Sequence, residues 1–252
     1  MDKLKHVAPP IGFLLLTVLI IGALVHDHYQ RGYVFTSRSS NASVFIERAL
    51  KRISKCIAGD QSRQRALLYA LQAWTHLAHP HSVRYWISHR TLINYVQYDD
   101  LGFEQFDIDI SMMADETSRL IELAKTVSSP SRYHLQVHPQ WSTVNISTRS
   151  LFPSLGINFI TYNPRFIDRV SNVSINIWPT YEDNSAEQTH SLAQFINADD
   201  WTLLPFEWTF PLTLCVLSGI RVWCPVQPDK LVASVYRPIA SDASRINQTC
   251  IR

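Results

Sequence analysis

Apolar and polar positions along this chain fall into stretches of different period. Apolar residues recur at helical spacing through "VFIERALKRISKCI" from Val44, and through "SRQRALLYALQAWTHL" from Ser62 to Leu77, predicting two helices. His79-Pro80-His81 ends the second. Val83 to Ile87 is β-prone, and "TLINYVQY" predicts a short helix. In "LGFEQFDIDISMM", Leu101 to Met113, Phe106, Ile108 and Ile110 alternate with Asp107 and Asp109. That alternation predicts a half-exposed strand, with the apolar set on one face and the aspartates on the other. "DETSRLIELAKTV" predicts a helix whose start is marked by Asp115 and which Ser128-Ser129-Pro130 ends.

Downstream the pattern turns β-rich, in "RYHLQVHP", "STVNIST", "INFITY" and "VSINIWP", followed by an aromatic-rich loop from Asp199-Asp200 to Pro211. "LTLCVLSGIRVWC" predicts a hairpin turning at Ser218-Gly219 or at Gly219-Ile220. The second register would set Cys215 directly opposite Cys224, where the two could be bridged. "QPDKLVASVYRP" predicts a closing helix opened by Pro228 and Asp229. Helices first and a mixed sheet after them make the class α+β.

The N-terminus has another character. Val7 to Val25 is uncharged with an apolar centre from Ile11, about 19 residues against the roughly 20 that cross a bilayer. Lys3 and Lys5 precede it and favour the cytosolic side, which predicts a signal anchor. A cleavable signal peptide is the rival, against which stand the length of the run and the poor cleavage site Ala23-Leu24-Val25. The expected organisation is a cytosolic tail over 1–6, a transmembrane anchor over 7–25, a stem over 26–43 and a luminal domain over 44–252. Sequons at Asn41, Asn145, Asn172 and Asn247 agree with that side of the membrane. Cys56, Cys215, Cys224 and Cys250 are an even set without zinc-ribbon spacing, so disulfides or buried thiols come first.

Composition narrows the function classes. With 46% apolar and 17% charged residues, the chain is globular rather than disordered. A net charge of +2 gives no whole-protein case for a nucleic-acid partner. His76, His79, His81 and His89 match no metal-binding spacing, Asp99-Asp100 reads as a solvated turn, and the tryptophans read as packing residues, with a sugar platform open at Trp201 and Trp208. The chemistry that stands out is the Asp107–Asp109 pair. Alternate strand residues share a face, so two carboxylates lie a few ångströms apart. Hard cations such as Mg²⁺ or Mn²⁺ bridge carboxylates of this kind to substrate phosphates.

The segment "VRYWISHRTLINYVQYDDLGFEQFDIDISMM" resembles the core of the LicD family, whose animal branch includes fukutin and fukutin-related protein. There, an "RYW"-like strand leads through a Gly-Gly-Ser or Gly-Gly-Thr turn into a short helix, and an Asp-x-Asp pair follows. "VSINIWPTYED" resembles the family's "VDIWPY" strand, and "FPLTLCVLSGIRVWCPVQPDKLVASVYRP" its closing hairpin and helix, so the resemblance runs from about Val83 to Pro238. It implies a nucleotidyltransferase-like mixed sheet flanked by helices. It also implies transfer of a phospho-substituent, such as ribitol phosphate, from a CDP-linked donor to a glycan or glycoprotein acceptor. Asp107 and Asp109 would then be catalytic and hold Mg²⁺ or Mn²⁺, Asn176 would take the third ligand position, and Thr91 and Arg90 would meet phosphate. The implied setting is the Golgi or ER membrane, in a single-pass type II arrangement.

The departures are specific. His89 and Arg90 stand where the family has glycines, Glu104 and Gln105 where a further aspartate is common, and Asn176 where a third aspartate is usual. They leave a second reading open, a membrane-anchored scaffold or glycan-binding protein that kept the fold and lost the chemistry.

Overall fold

The computed structural model describes residues 39–53, 61–102, 105–127, 131–137, 164–183, 191–197 and 200–236. The expected anchor over 7–25, the strands "STVNIST" and "INFITY", and the sequons at Asn145 and Asn247 lie outside them. Among the described residues, no helix is long and apolar enough to cross a membrane.

In chain order the elements are α1 (Ser39–Ile53), α2 (Gln61–Ala78), β1 (Trp86–Ile87), α3 (His89–Tyr98) and β2 (Asp107–Met113). A 3₁₀ turn (Ala114–Glu116) leads into α4 (Thr117–Thr126), followed by β3 (Tyr133–Gln136), β4 (Arg165–Asp168) and β5 (Ser174–Asp183). Then come β6 (Ser191–Asn197), β7 (Asp200–Pro205), α5 (Phe206–Thr209), β8 (Thr213–Leu217), β9 (Ile220–Cys224) and α6 (Pro228–Ser234). The class is mixed α+β, with a mixed sheet flanked by helices. The main sheet runs β1-β2-β5-β4-β3, with β6 on the far half of β5 and β7 outside it. Among the described strands only β2 and β5 pair in parallel; the other neighbours are antiparallel.

The period-2 pattern of β2 and β5 sorts their residues onto two faces. Ile108 and Ile110 of β2 and Ile175 and Ile177 of β5 are fully buried on one face. On that core α2 brings Leu67, Leu68, Leu71 and Trp74, spaced as one stripe of a helix. Trp74 meets Tyr85 and Phe166 edge-on, with ring centroids 5.7 and 5.6 Å away. The opposite face is polar and also covered. Asp109, Ser111, Asn176, Thr180 and Gln194 on it are all buried.

Four expectations are corrected. Phe106 does not join the buried face: it precedes β2, is 64% exposed and lies under the Arg63 guanidinium, 3.9 Å from its ring centroid. Nor is β2 half-exposed, because helices and neighbouring strands cover its second face. Asp99-Asp100 is not a solvated turn. Asp99 closes α3 in the left-handed region, with φ 56°, while Asp100 is buried and accepts hydrogen bonds from the Leu101 N–H and the Ser218 hydroxyl. Residues 200–209 are strand β7 and helix α5 rather than loop. The pairing of β7 with β6, which single-sequence periodicity does not mark, supplies the hydrogen bonds that make it a strand.

The hairpin turns at Ser218-Gly219, with Leu217 opposite Ile220, so Cys215 faces Val222 and Cys224 faces Thr213. The cysteines are therefore diagonal neighbours on the buried face rather than directly opposed, and they are disulfide-bonded with Cα atoms 5.9 Å apart. Helix α1 starts at Ser39, five residues before the predicted Val44, and takes in the end of the expected stem.

Candidate metal and phosphate site

Parallel pairing of β2 and β5 in register aligns Asp107 with Ser174 and Asp109 with Asn176. Aligned residues project to the same face, so the two aspartates and Asn176 converge. The Asn176 amide Nδ2 donates to Asp107 Oδ2 at 2.6 Å and to Asp109 Oδ1 at 3.3 Å. Two residues along β5, and so on the same face, Trp178 Nε1 donates to Asp109 Oδ1 at 2.9 Å. Sequence reasoning marks Trp178 only as packing; its spacing of two from Asn176 is the available signal for a place in the site.

The backbone of Asp109 is fixed from the other side by α3. Its carbonyl accepts the Ser88 N–H at 3.1 Å, and its N–H donates to Thr91 Oγ1 at 2.8 Å. Gln105 Nε2 donates to the same Thr91 oxygen at 2.5 Å, and Gln105 Oε1 accepts from Asn94 Nδ2 at 3.0 Å. Thr91 is fully buried, and its hydroxyl oxygen takes two N–H groups of the protein. Gln105, buried beside it, stands in the stretch where the resemblance expects a further aspartate. Here it braces the site without carrying charge.

His89 opens α3 with φ 49°, a left-handed conformation that glycine adopts freely and other residues adopt at a cost. This is a position at which the resemblance expects glycine. What holds the histidine there is its ring. It stacks on Trp178 at 4.5 Å, approaches Tyr236 at 5.6 Å, and sets Nδ1 3.0 Å from Ser88 Oγ. Burial raises the Tyr236 phenol far above its usual range, so it keeps its proton and donates to Gln194 Oε1 at 3.4 Å, while accepting the His89 backbone N–H. Gln194 in turn donates to Ser111 Oγ at 2.5 Å.

Burial, and then the charge of Asp109, raise the Asp107 carboxyl above its ordinary range; the Asn176 amide and the charges of Arg165 and Arg90 pull it partway back. Burial likewise raises Asp109, against the N–H groups of Trp178 and Asn176, the Arg90 charge and the Arg90 backbone N–H. Among the described residues neither carboxylate has an ion-pair partner. Asn176 Oδ1 is itself buried with no hydrogen-bond partner. With its amide turned over, that oxygen would join the two carboxylates in a hard-oxygen donor set of the kind Mg²⁺ and Mn²⁺ prefer. The residues present therefore fit such an ion. No group of three His, Cys, Asp or Glu residues forms a metal site among the described residues, since the third member here is an amide. His76, in the last turn of α2, and His81, just after that helix, are exposed.

Residues 82–227, more than half of the chain, match the family described as LicD/FKTN/FKRP, nucleotidyltransferase domain. The chain belongs to this family. Members of the LicD family are generally transferases. No curated protein sequence matches the chain significantly. Among solved structures, the Vibrio cholerae DncV apo form is similar at 13% identity and a TM-score of 0.22, covering 64% of this chain and 42% of that one. The 3'-deoxy ATP bound form of the same Vibrio cholerae protein is similar at 13% identity and a TM-score of 0.26, covering 81% and 47%. The chain thus spans less than half the length of these structures.

Proposed function

We propose that this LicD-family chain is a metal-dependent phosphotransferase that moves a phospho-alditol such as ribitol phosphate, or a similar group, from a CDP-linked donor to a glycan. In this reading the catalytic domain faces the lumen of the Golgi or ER, held by a single-pass type II anchor over 7–25. The observation that carries it is the convergence of Asp107, Asp109 and Asn176 from two parallel strands, with Asn176 Nδ2 within 2.6 and 3.3 Å of the two carboxylates.

A cation held by Asp107, Asp109 and Asn176 Oδ1 would neutralise charge on donor phosphate oxygens. The chain's own residues set that place. Thr91 and Ser88 fix the Asp109 backbone, Trp178 fixes its carboxylate, and Arg90 at the start of α3 offers phosphate a guanidinium. The exposed Asn172, in the turn between β4 and β5, is a sequon open to a glycan. Calorimetric titration of the purified chain with Mn²⁺ and then CDP tests the reading. Expected are Mn²⁺ binding, CDP binding that depends on it, and loss of both in Asp107→Ala. A chain that binds Mn²⁺ equally well without Asp107 would end this assignment.

One observation favours a second reading. The third position beside the two carboxylates is the uncharged amide of Asn176, which would weaken cation affinity, as expected of a member that kept the fold and serves as a scaffold or glycan-binding protein. It predicts no Mn²⁺ binding by the natural chain, and binding that appears only in Asn176→Asp.

A further inference from the structure

We propose that Arg165 is the second arm of a phosphate clamp, holding, together with Arg90, a diphosphate group against the Asp107–Asp109 pair. The inference rests on the reading of that pair as a phosphate-handling site and adds the residue that would read the phosphate. β4 runs antiparallel to β5 with Arg165 aligned on Asn176. Directly opposed residues of an antiparallel pair project to the same face, with Cβ atoms about 5 Å apart. Arg165 thus flanks the site from β4, while Arg90 flanks it from the start of α3.

The state of the Arg165 side chain separates it from the arginines that support the fold. Arg132 forks onto Asp168 at 3.0 and 2.6 Å, Arg84 engages the buried Glu116, and Arg65 pairs with Glu47. Arg165 Nε is buried and has no hydrogen-bond partner among the described residues. Its charge reaches Asp107 without forming an ion pair with it. A guanidinium placed merely to neutralise an aspartate would fork onto it as Arg132 does. A half-buried one that stops short leaves its buried Nε–H for a third group, and leaving such a donor unsatisfied is costly. Phosphate oxygens match the fork bidentately, and a diphosphate brought to two carboxylates needs added positive charge. The diphosphate could be that of a nucleotide or a free one, and the assay separates them.

The test measures binding of CDP, inorganic pyrophosphate and Mn²⁺ to the full chain, as wild type, Arg165→Ala and Arg165→Lys. Arg165→Ala should weaken CDP and pyrophosphate about tenfold to a hundredfold, the range for losing a charged hydrogen bond. Mn²⁺ affinity should hold or rise, because a nearby positive charge is gone. Arg165→Lys, which keeps charge and stem but not the fork, should recover part of the loss and guards against a folding defect in the alanine variant. A loss for CDP alone, with pyrophosphate bound by none of the three proteins, assigns the clamp to a nucleotide diphosphate. CDP affinity unchanged in both variants overturns the clamp while leaving the metal reading intact. Absence of Mn²⁺ binding with Arg165-dependent pyrophosphate binding does the reverse.

Discussion

Asn176 and Asp107 meet across the parallel strand pair β2–β5, the amide N–H of the first 2.6 Å from the carboxylate of the second. The contact makes Asn176 a substitute for positive charge between the buried carboxylate of Asp109 and the half-buried one of Asp107, and it sets up the first prediction. Asn176→Asp replaces the donor with a third negative group. In EDTA the variant should lose stability by about 2–4 kcal/mol, as expected when a buried charge is left unpaired. Saturating Mn²⁺ should restore it, with affinity at least about tenfold above wild type because the added ligand is charged. Thermal melts with and without Mn²⁺ read both effects. A variant equally destabilised in EDTA and in Mn²⁺ would show that the site does not collect cations.

Trp178→Phe keeps most of the packing against His89 and removes the N–H that reaches Asp109 Oδ1 at 2.9 Å. A hydrogen bond to an ionised group is worth about 1.5–3 kcal/mol. That donor favours the ionised form of Asp109, so its loss raises the carboxyl further. The stability deficit should shrink as pH falls and Asp109 takes up a proton. Urea denaturation across pH checks this, and a deficit independent of pH would assign the loss to packing alone.

Thr91→Val is nearly isosteric and leaves the Asp109 N–H and Gln105 Nε2 without their shared acceptor in a fully buried place. Two stranded donors should cost about 2–5 kcal/mol. Thr91→Ser keeps the oxygen and should recover most of it. Chemical denaturation of both variants decides the point, since a Ser variant as unstable as the Val one would mean that the methyl group, not the hydroxyl, matters.

Away from the site, burial disfavours the charged form of Asp168, but the Arg132 fork, the Ser171 hydroxyl and the Val170 N–H outweigh it and bring the carboxyl down to about 2 from 3.8. The folded value lies below the unfolded one, so the stabilisation is present above about pH 4 and lost as pH falls toward 2. Its size is about 2 kcal/mol, because each tenfold difference in proton affinity between the folded and unfolded chain is worth about 1.36 kcal/mol. Arg132→Gln should therefore separate from wild type at neutral pH and converge with it near pH 2, in stability measured against pH.

How much of this is legible in the sequence follows from where each signal lives. The Asp107–Asp109 pair is readable because alternation along one strand is a local property. Asn176 and the family are readable from ordered local blocks. Arg165 is not, since "RFID" is too short to show a period and gains meaning only from its register against β5. Asp100 looks solvated because acidic pairs usually are, and only the hairpin turn at Ser218 shows what it binds. β6 and β7 escape for a similar reason, as their strand character lies in pairing with each other and with the far half of β5. The sequence places Thr91 at a helix start, but that its oxygen serves Asp109 and Gln105 is tertiary information.

The left-handed turn at His89 offers the sharpest local test. In ordinary helix positions alanine is more stable than glycine by about 1 kcal/mol. At φ 49° the order should invert, because a Cβ in the left-handed region costs roughly 1–2 kcal/mol and glycine has none. Both substitutions delete the same ring from its stack on Trp178, so their difference isolates the backbone. His89→Gly should therefore be more stable than His89→Ala by about 1 kcal/mol, although wild type can exceed both through its ring contacts. Denaturation midpoints of the two variants measure the difference. An alanine variant at least as stable as the glycine one would mean that the turn relaxes once the imidazole no longer holds it, and that the family's glycine position is here set by side-chain packing.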